Sequence, residues 1–423
     1  MNIMIHPGPA LAAAAVWTLA DRCADGRRIV PILAALTAFV ALQGTVSFYT
    51  AALSVVAAGA VLLARVRALR TRGVVGVVVA LGAAVVLLVP IAWPYLRNSS
   101  EMSADFKWPL RDLASSGADF LAVDPSLTVW GDALAAPTGI FGQPTFPGVA
   151  IIVLALIGVL TWRGRDRRVL ILAATLTVVG LVLAIGTSDR GWRRYTPYRL
   201  IYELVPGGDA LRATGRFWLV GLLGVGLLVG LGVDRLVRFV SGGGATRRWA
   251  GAGAVALCLG AILLEGHRSW SDAPAVDVSP VDRALAAEAG PGGVAYLPLP
   301  IPPDEPFPLL GQALIVYRST AHHRPMLNGY AGFYPEDFFS VGARIVGLPD
   351  RPSLDHLRRV GVRYVVVPEQ AGAWQALRDP ARAVPLRLLG DFEGDLLYEV
   401  PAAPAPEEGP PGGPDGAEVD RLE

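Results

Sequence analysis

Apolar residues in this chain fall into blocks. Before about residue 266 they form runs of roughly 15–22 residues, near the length a helix needs to cross a bilayer. The runs cover approximately 9–20, 29–43, 47–63, 74–95, 148–162, 169–187, 217–233 and 249–265. The first is short. The second and third are parted only by Gly44-Thr45-Val46, which implies either a tight hairpin or one broken helix. Pro31 and Pro90 are tolerable inside such helices where neighbours satisfy the freed backbone groups.

From residue 275 the pattern shortens and alternates. Residues 280–289 read as a helix with Ser279 as its N-cap. Residues 294–299 read as a strand and 309–320 as a helix or mixed segment. Helices follow at 336–346 and 354–359, and Val362-Arg363-Tyr364-Val365-Val366-Val367 is a buried strand. A strand pair is expected at 385–390 and 396–400, around Glu393-Gly394-Asp395. The expected fold is therefore a polytopic α-helical membrane domain over 1–266 with about eight spans. An extracytoplasmic α/β domain over 275–400 and a Pro/Gly/Glu-rich disordered tail at 401–423 follow it.

Composition agrees with the first half. The chain is 53% hydrophobic and only 17% charged, where soluble proteins carry about 25% charged residues. Cys23 and Cys258 are the only cysteines, so neither a disulfide framework nor a thiolate metal site is expected.

Arginine sets the expected orientation, because basic residues favour the cytoplasmic side. Four short links are basic: Arg22/Arg27/Arg28, Arg65/Arg67/Arg70/Arg72, Arg163/Arg165/Arg167/Arg168 and Arg235/Arg238/Arg247/Arg248. Each falls between alternate spans. Placing all four in the cytoplasm puts 96–146, 188–216 and everything after 266 outside. Trp93, Tyr95, Trp162, Trp192, Trp218 and Trp249 then lie near span ends, as an aromatic belt would.

This topology has one violation. Residues 188–216 carry six arginines (Arg190, Arg193, Arg194, Arg199, Arg212 and Arg216) on the outer face. An anionic partner at the headgroup level, such as a lipid-linked phosphate, gives them a purpose. Arg212 and Arg216 share a face if their turn is helical, and guanidinium forks match phosphate oxygens. The competing reading is snorkelling to ordinary headgroups, or pairing with Asp189, Glu203 and Asp209. Arg194 and Tyr198 complete the candidate substrate-binding set here. In the other outer loop, Glu101 and Asp105 are the candidate acid and base. In the α/β domain, His323, Asn328 and Tyr330 lie in a polar and aromatic tract suited to a sugar. No cofactor is expected, and a divalent metal has no indicated ligand set. The chain carries no P-loop, dinucleotide fingerprint, nucleophile elbow or HExxH.

Three stretches resemble the C-terminal part of bacterial polytopic glycosyltransferases of the GT-C type, including the YfhO-like membrane proteins. They are Glu101-Met102-Ser103-Ala104-Asp105 leading to Phe146-Pro147-Gly148; Tyr202-Glu203-Leu204-Val205-Pro206-Gly207 with Leu211-Arg212-Ala213-Thr214-Gly215-Arg216-Phe217; and Tyr317-Arg318-Ser319-Thr320 through Asn328-Gly329-Tyr330, then 357–367. Where this chain has Thr214, relatives tend to have Pro. The resemblance implies a polyprenyl-phosphate sugar donor and a cell-envelope glycan or protein acceptor, with membrane lipids as the setting and no nucleic acid. It also implies a catalytic acid in a first outer loop. Met1-Asn2-Ile3-Met4-Ile5-His6-Pro7 reads like the tail of such a loop, so upstream helices are expected beyond this chain. The alternative function is a non-catalytic membrane scaffold, or a binder of envelope lipids or glycans.

Overall fold

A computed structural model of the chain describes residues 7–98, 118–134, 145–162, 164, 167–188, 191–205, 208, 211, 213–241, 245–268, 278–299, 309–330, 337–379 and 384–402. The chain divides into two compact units, Met1–Ser99 with Lys107–Ala273, and Ser100–Phe106 with Pro274–Glu423.

The first unit is helical. Its helices are α1 (Pro7–Ala24), α2 (Val30–Val46), α3 (Phe48–Asn98), α4 (Val149–Leu160), α5 (Arg167–Ala184), α6 (Tyr198–Leu204), α7 (Trp218–Ser241) and α8 (Ala245–Glu265). Each apolar run expected from the sequence overlaps one of them, and no run extends more than three residues past its helix. Among the described residues, three stretches are long and apolar enough to cross a membrane: Phe48–Tyr95, Arg167–Ala184 and Thr214–Ser241. Val30–Val46, Val149–Leu160 and Trp249–Glu265 are apolar but shorter. The 12 residues of α4 rise about 18 Å, against a hydrocarbon layer of about 30 Å.

The longest helix is folded back on itself. Arg70, at φ 55° and ψ 175°, interrupts α3. The rings of Phe48 and Tyr95, near its two ends, meet edge to face at 5.6 Å. A straight helix would hold these rings about 70 Å apart, so the two legs must run antiparallel. The basic link Arg65/Arg67/Arg70/Arg72 forms the bend.

The junction of α2 and α3 is a tight hairpin. Ser47 is extended, and the Thr50 hydroxyl donates to the Gln43 carbonyl at 3.0 Å. Beyond it, the Thr37 hydroxyl donates to the Ala80 carbonyl at 3.0 Å. Leu33 packs on Gly76 and Leu88 on Gly44, so α2 runs parallel to the second leg. Gly8 lies against Gln43 and Ser54, while Arg65 pairs with Asp21 and covers the Trp17 ring at 4.0 Å. α1 therefore runs parallel to the first leg, and successive segments alternate in direction.

In α4, α5 and α7, glycines replace side chains at the crossings. Gly180 of α5 meets Gly221 of α7, and Gly158 of α4 meets the backbone at Leu228 and Gly232. Small residues let helix backbones approach closely where no hydrophobic force between helices operates. Glu265, the last residue of α8, accepts from the Ala150 amide at 2.9 Å. A carboxylate is favoured at a helix start by the helix dipole. One end of the bundle thus gathers the α1–α2 link and the Arg70 bend. The other, the loop end, gathers 118–134, 145–148, 186–188, 191–205, 213–217 and 265–268.

The second unit is a small α/β layer. α9 (Pro280–Ala287) precedes β1 (Gly293–Tyr296); α10 (Leu309–His322), α11 (Asp337–Ile345) and α12 (Arg351–Arg359) precede β2 (Val362–Val367); β3 (Arg387–Phe392) and β4 (Asp395–Glu399) close the chain. The sheet order is β1-β2-β4-β3, with β1 parallel to β2 and the other pairs antiparallel. Both faces of β2 are covered. Val365 and Val367 join Ile345, Leu357, Trp374 and Tyr398 on one side, and Tyr364 and Val366 join Val281, Leu285 and Tyr296 on the other. That explains its nearly unbroken apolar run. Glu393 and Gly394, both at positive φ, form the two-residue turn between β3 and β4.

Several boundaries shift from the sequence reading, and two of the shifts have a plain cause. β1 ends at Tyr296, before Pro298, which has no amide to offer a ladder. α12 begins at Arg351, before the expected residue 354, because Asp350 caps it by accepting from the Ser353 amide at 2.9 Å.

Candidate functional site

The tract after α5 is built as a platform. The Thr196 hydroxyl donates to the Gly186 carbonyl at 2.6 Å, and the Thr187 hydroxyl donates to the Arg193 carbonyl at 3.0 Å. These bonds fold the 3-10 turn Trp192–Tyr195 onto the end of α5. Thr214, in the 3-10 turn Thr214–Phe217, donates to the Ala184 carbonyl at 3.0 Å. The Trp218 indole donates to the Thr145 carbonyl at 3.0 Å, and its ring meets Phe120 edge-on at 5.5 Å.

Tyr198 belongs to the inside of this platform. It is fully buried, its hydroxyl donates to the Leu211 carbonyl, and its ring packs on Phe217. Arg216 and Arg194 belong to its surface. The Arg216 guanidinium lies 4.8 Å from the centre of the Tyr49 ring, and that of Arg194 lies 5.2 Å from the Tyr195 ring. Aromatic faces hold a guanidinium in place without neutralising it. Glu203, one of the acids that could have quenched these cations, is paired with Arg199. Among the described residues neither Arg194 nor Arg216 has an ion-pair partner. Arg190, Arg212, Glu101 and Asp105 lie outside the described residues.

The acids at this end are largely engaged. Asp124 accepts from the Ser126 hydroxyl at 2.7 Å and amide at 3.0 Å, and pairs with Arg268 at 3.0 Å. Those hydrogen bonds, then Arg268, hold its carboxyl below the usual value of 3.8 against the cost of burial. Thr128 meets His267 Nδ1 at 2.9 Å, so 118–134 is strapped to the chain just beyond α8. The sequence reading did not anticipate this strap. Paired acid and base positions separated by more than 130 residues leave no local signal.

In the second unit the polar tract 322–330 separates into two kinds of residue. Asn328 is buried and serves the sheet. Its Oδ1 accepts from the Tyr296 amide at 2.7 Å, and its Nδ2 donates to the Tyr296 carbonyl at 2.8 Å, much as a neighbouring strand would. Arg324 donates to the carbonyls of Leu285, Glu288 and Gly290 and so closes the end of α9. His323, at φ 53°, and Tyr330 are exposed.

Beneath that tract lies a buried polar chain absent from the sequence reading. Arg318 Nε donates to Asp282 Oδ2 at 2.7 Å, and the Tyr296 hydroxyl donates to Asp282 Oδ1 at 2.7 Å. His322 Nδ1 accepts from the Arg324 amide at 3.1 Å. The tautomer assigned from that bond leaves Nε2–H to donate to the Tyr296 oxygen, 3.1 Å away. Burial, followed by the hydrogen bond to Asp282, raises the Tyr296 pKa far above 10. With every member partnered, the arrangement rigidifies the unit. Among the described residues, no group of three or more His, Cys, Asp or Glu side chains is placed to hold a metal ion.

Comparison with known proteins gives no match to a family model and none to a curated protein.

Proposed function

We propose that the protein works at the outer face of a cell membrane, where its loop end holds the phosphate of a lipid-linked sugar. The reaction is glycosyl transfer of the GT-C kind, from a polyprenyl-phosphate donor to a cell-envelope glycan or protein. In this reading the four basic links face the cytoplasm, about eight segments cross the bilayer, and the α/β unit is extracytoplasmic. Arg216, Arg194 and Arg212 hold donor phosphate, Glu101 and Asp105 supply acid and base, and His323 and Tyr330 offer sugar contacts. Asn328 and Tyr198 then act by positioning the backbone around them.

The observation that carries the proposal is the exposed Arg216 guanidinium, seated on Tyr49 and free of any ion pair among the described residues. A desolvated phosphate at the headgroup level is the partner that repays such a cation. A second reading, a non-catalytic binder or scaffold for envelope lipids, uses the same cations. It is favoured by Asp124, Glu203 and Glu265 being engaged in structural bonds.

Binding of a polyprenyl phosphate in nanodiscs tests both. Arg216→Glu is expected to weaken it by about tenfold or more, the loss of one charge-assisted contact. Unchanged binding in a folded variant sinks the phosphate role. Transfer of sugar by the wild-type chain separates the enzyme from the scaffold.

A further inference from the structure

We propose that the groove between α11 and α12 of the α/β unit is a second anion site, which binds a phosphate group through Arg344, Arg351, Arg359 and His356. The groove is open to solvent, offers about 570 Å³ and is lined by these four residues with Pro352 and Asp355. That volume lies in the usual range for small-ligand sites, about 300–1,000 Å³.

His356 is the feature that asks for a ligand. It is 6% exposed, and among the described residues neither ring nitrogen has a hydrogen-bond partner. A buried polar group left without a partner is destabilising. An imidazole needs at least one acceptor for its N–H. The guanidinium groups beside it are donors only and cannot supply one. Burial, then Arg344 and Arg359, push its pKa below the ordinary 6.5, so the local field is positive as well as poor in acceptors.

The cations are only partly compensated. Arg344 and Arg359 have no ion-pair partner among the described residues. Arg351 stands 3.9 Å from Asp355, whose closer partner is Arg358 at 2.7 Å. A metal cation is excluded by this charge, whereas an oxyanion meets both needs at once. Its oxygens accept from the arginine forks bidentately, and a turn of the His356 ring, whose nitrogens are closed off from solvent, brings its N–H to the same oxyanion. A tetrahedral phosphate, free or borne on a lipid headgroup, has enough acceptor oxygens for all four side chains. This site is independent of the cations on the helical unit.

The test uses the full chain, whose five histidines can be labelled at 13Cε1 and observed by NMR in detergent. The His356 signal is assigned by its loss in His356→Gln. Inorganic phosphate is titrated at constant ionic strength against chloride. In parallel, nanodiscs of phosphatidylglycerol are compared with phosphatidylcholine. A saturable His356 shift with inorganic phosphate supports the site and a free-phosphate source. A shift only with phosphatidylglycerol supports the site and a headgroup source. Arg344→Ala and Arg359→Ala, both at exposed side chains, are each expected to weaken the responding titration about ten- to hundredfold. The proposal is overturned if His356 responds to neither, or if its response is the same in both arginine variants.

Discussion

The Cβ that alanine would add at Gly224 falls 2.3 Å from the carbonyl oxygen of Ala173. At Gly180 the added Cβ would fall 2.2 Å from the Gly221 nitrogen, whereas at Gly226 and Gly230 it meets nothing within 4 Å. These glycines, so similar in sequence, therefore divide into two at the crossing and two on an open face. Gly224→Ala and Gly180→Ala must push backbones apart, at about 1–3 kcal/mol each. Gly226→Ala and Gly230→Ala are expected to be neutral or to gain up to about 1 kcal/mol from helix propensity. Thermal unfolding in one detergent measures all four. Equal effects at the four positions contradict the α5–α7 crossing.

Asp282 is the acceptor on which Arg318 and Tyr296 both depend. Asp282→Asn leaves Arg318 with only its longer contact to Asp395, at 3.3 Å, and is expected to cost about 1–3 kcal/mol. Tyr296→Phe removes one hydrogen bond and is expected to cost about 1–2 kcal/mol. Hydrogen exchange of the β1 and β2 amides reads the loss within this unit. Unaltered protection in Asp282→Asn contradicts the central role of the carboxylate.

Stability of the α/β unit is expected to fall on the acid side of neutrality. Burial comes first among the causes that hold the His322 and His356 pKa values below 6.5. Below about pH 6.5 the unfolded chain takes up protons that these folded imidazoles refuse, so stability declines as pH drops. It is constant above that value. His356→Leu, replacing a ring that makes no hydrogen bond among the described residues, is expected to flatten the decline. Unfolding followed from pH 8 to 5 tests this, and a rise in stability over the acid range contradicts it.

Local signals account for most of what the sequence foretold. Ser279 before Pro280 announced α9, the Val362–Val367 run announced β2, and the eight apolar runs announced the helices. Asp350 before Arg351-Pro352 was an equally good helix start, overlooked in favour of the apolar pattern from 354. Other features have no local signature. Tyr198 reads as a substrate contact in the sequence because its partner carbonyl lies beyond the end of α6. Asn328 looked like a sugar ligand because the strand it completes is 32 residues upstream. The hairpin at Arg70 was legible as a basic gap, but only the meeting of Phe48 with Tyr95 proves the reversal.

The proposed function requires the loop end to face the outside of the membrane. In a chain with Cys23 and Cys258 replaced by Ser, Tyr195→Cys and Thr71→Cys place one exposed thiol at each end of the bundle. An impermeant maleimide added to intact cells is predicted to label Tyr195→Cys at once and Thr71→Cys only after permeabilisation. The reverse pattern would put Arg194 and Arg216 in the cytosol and contradict the proposed function.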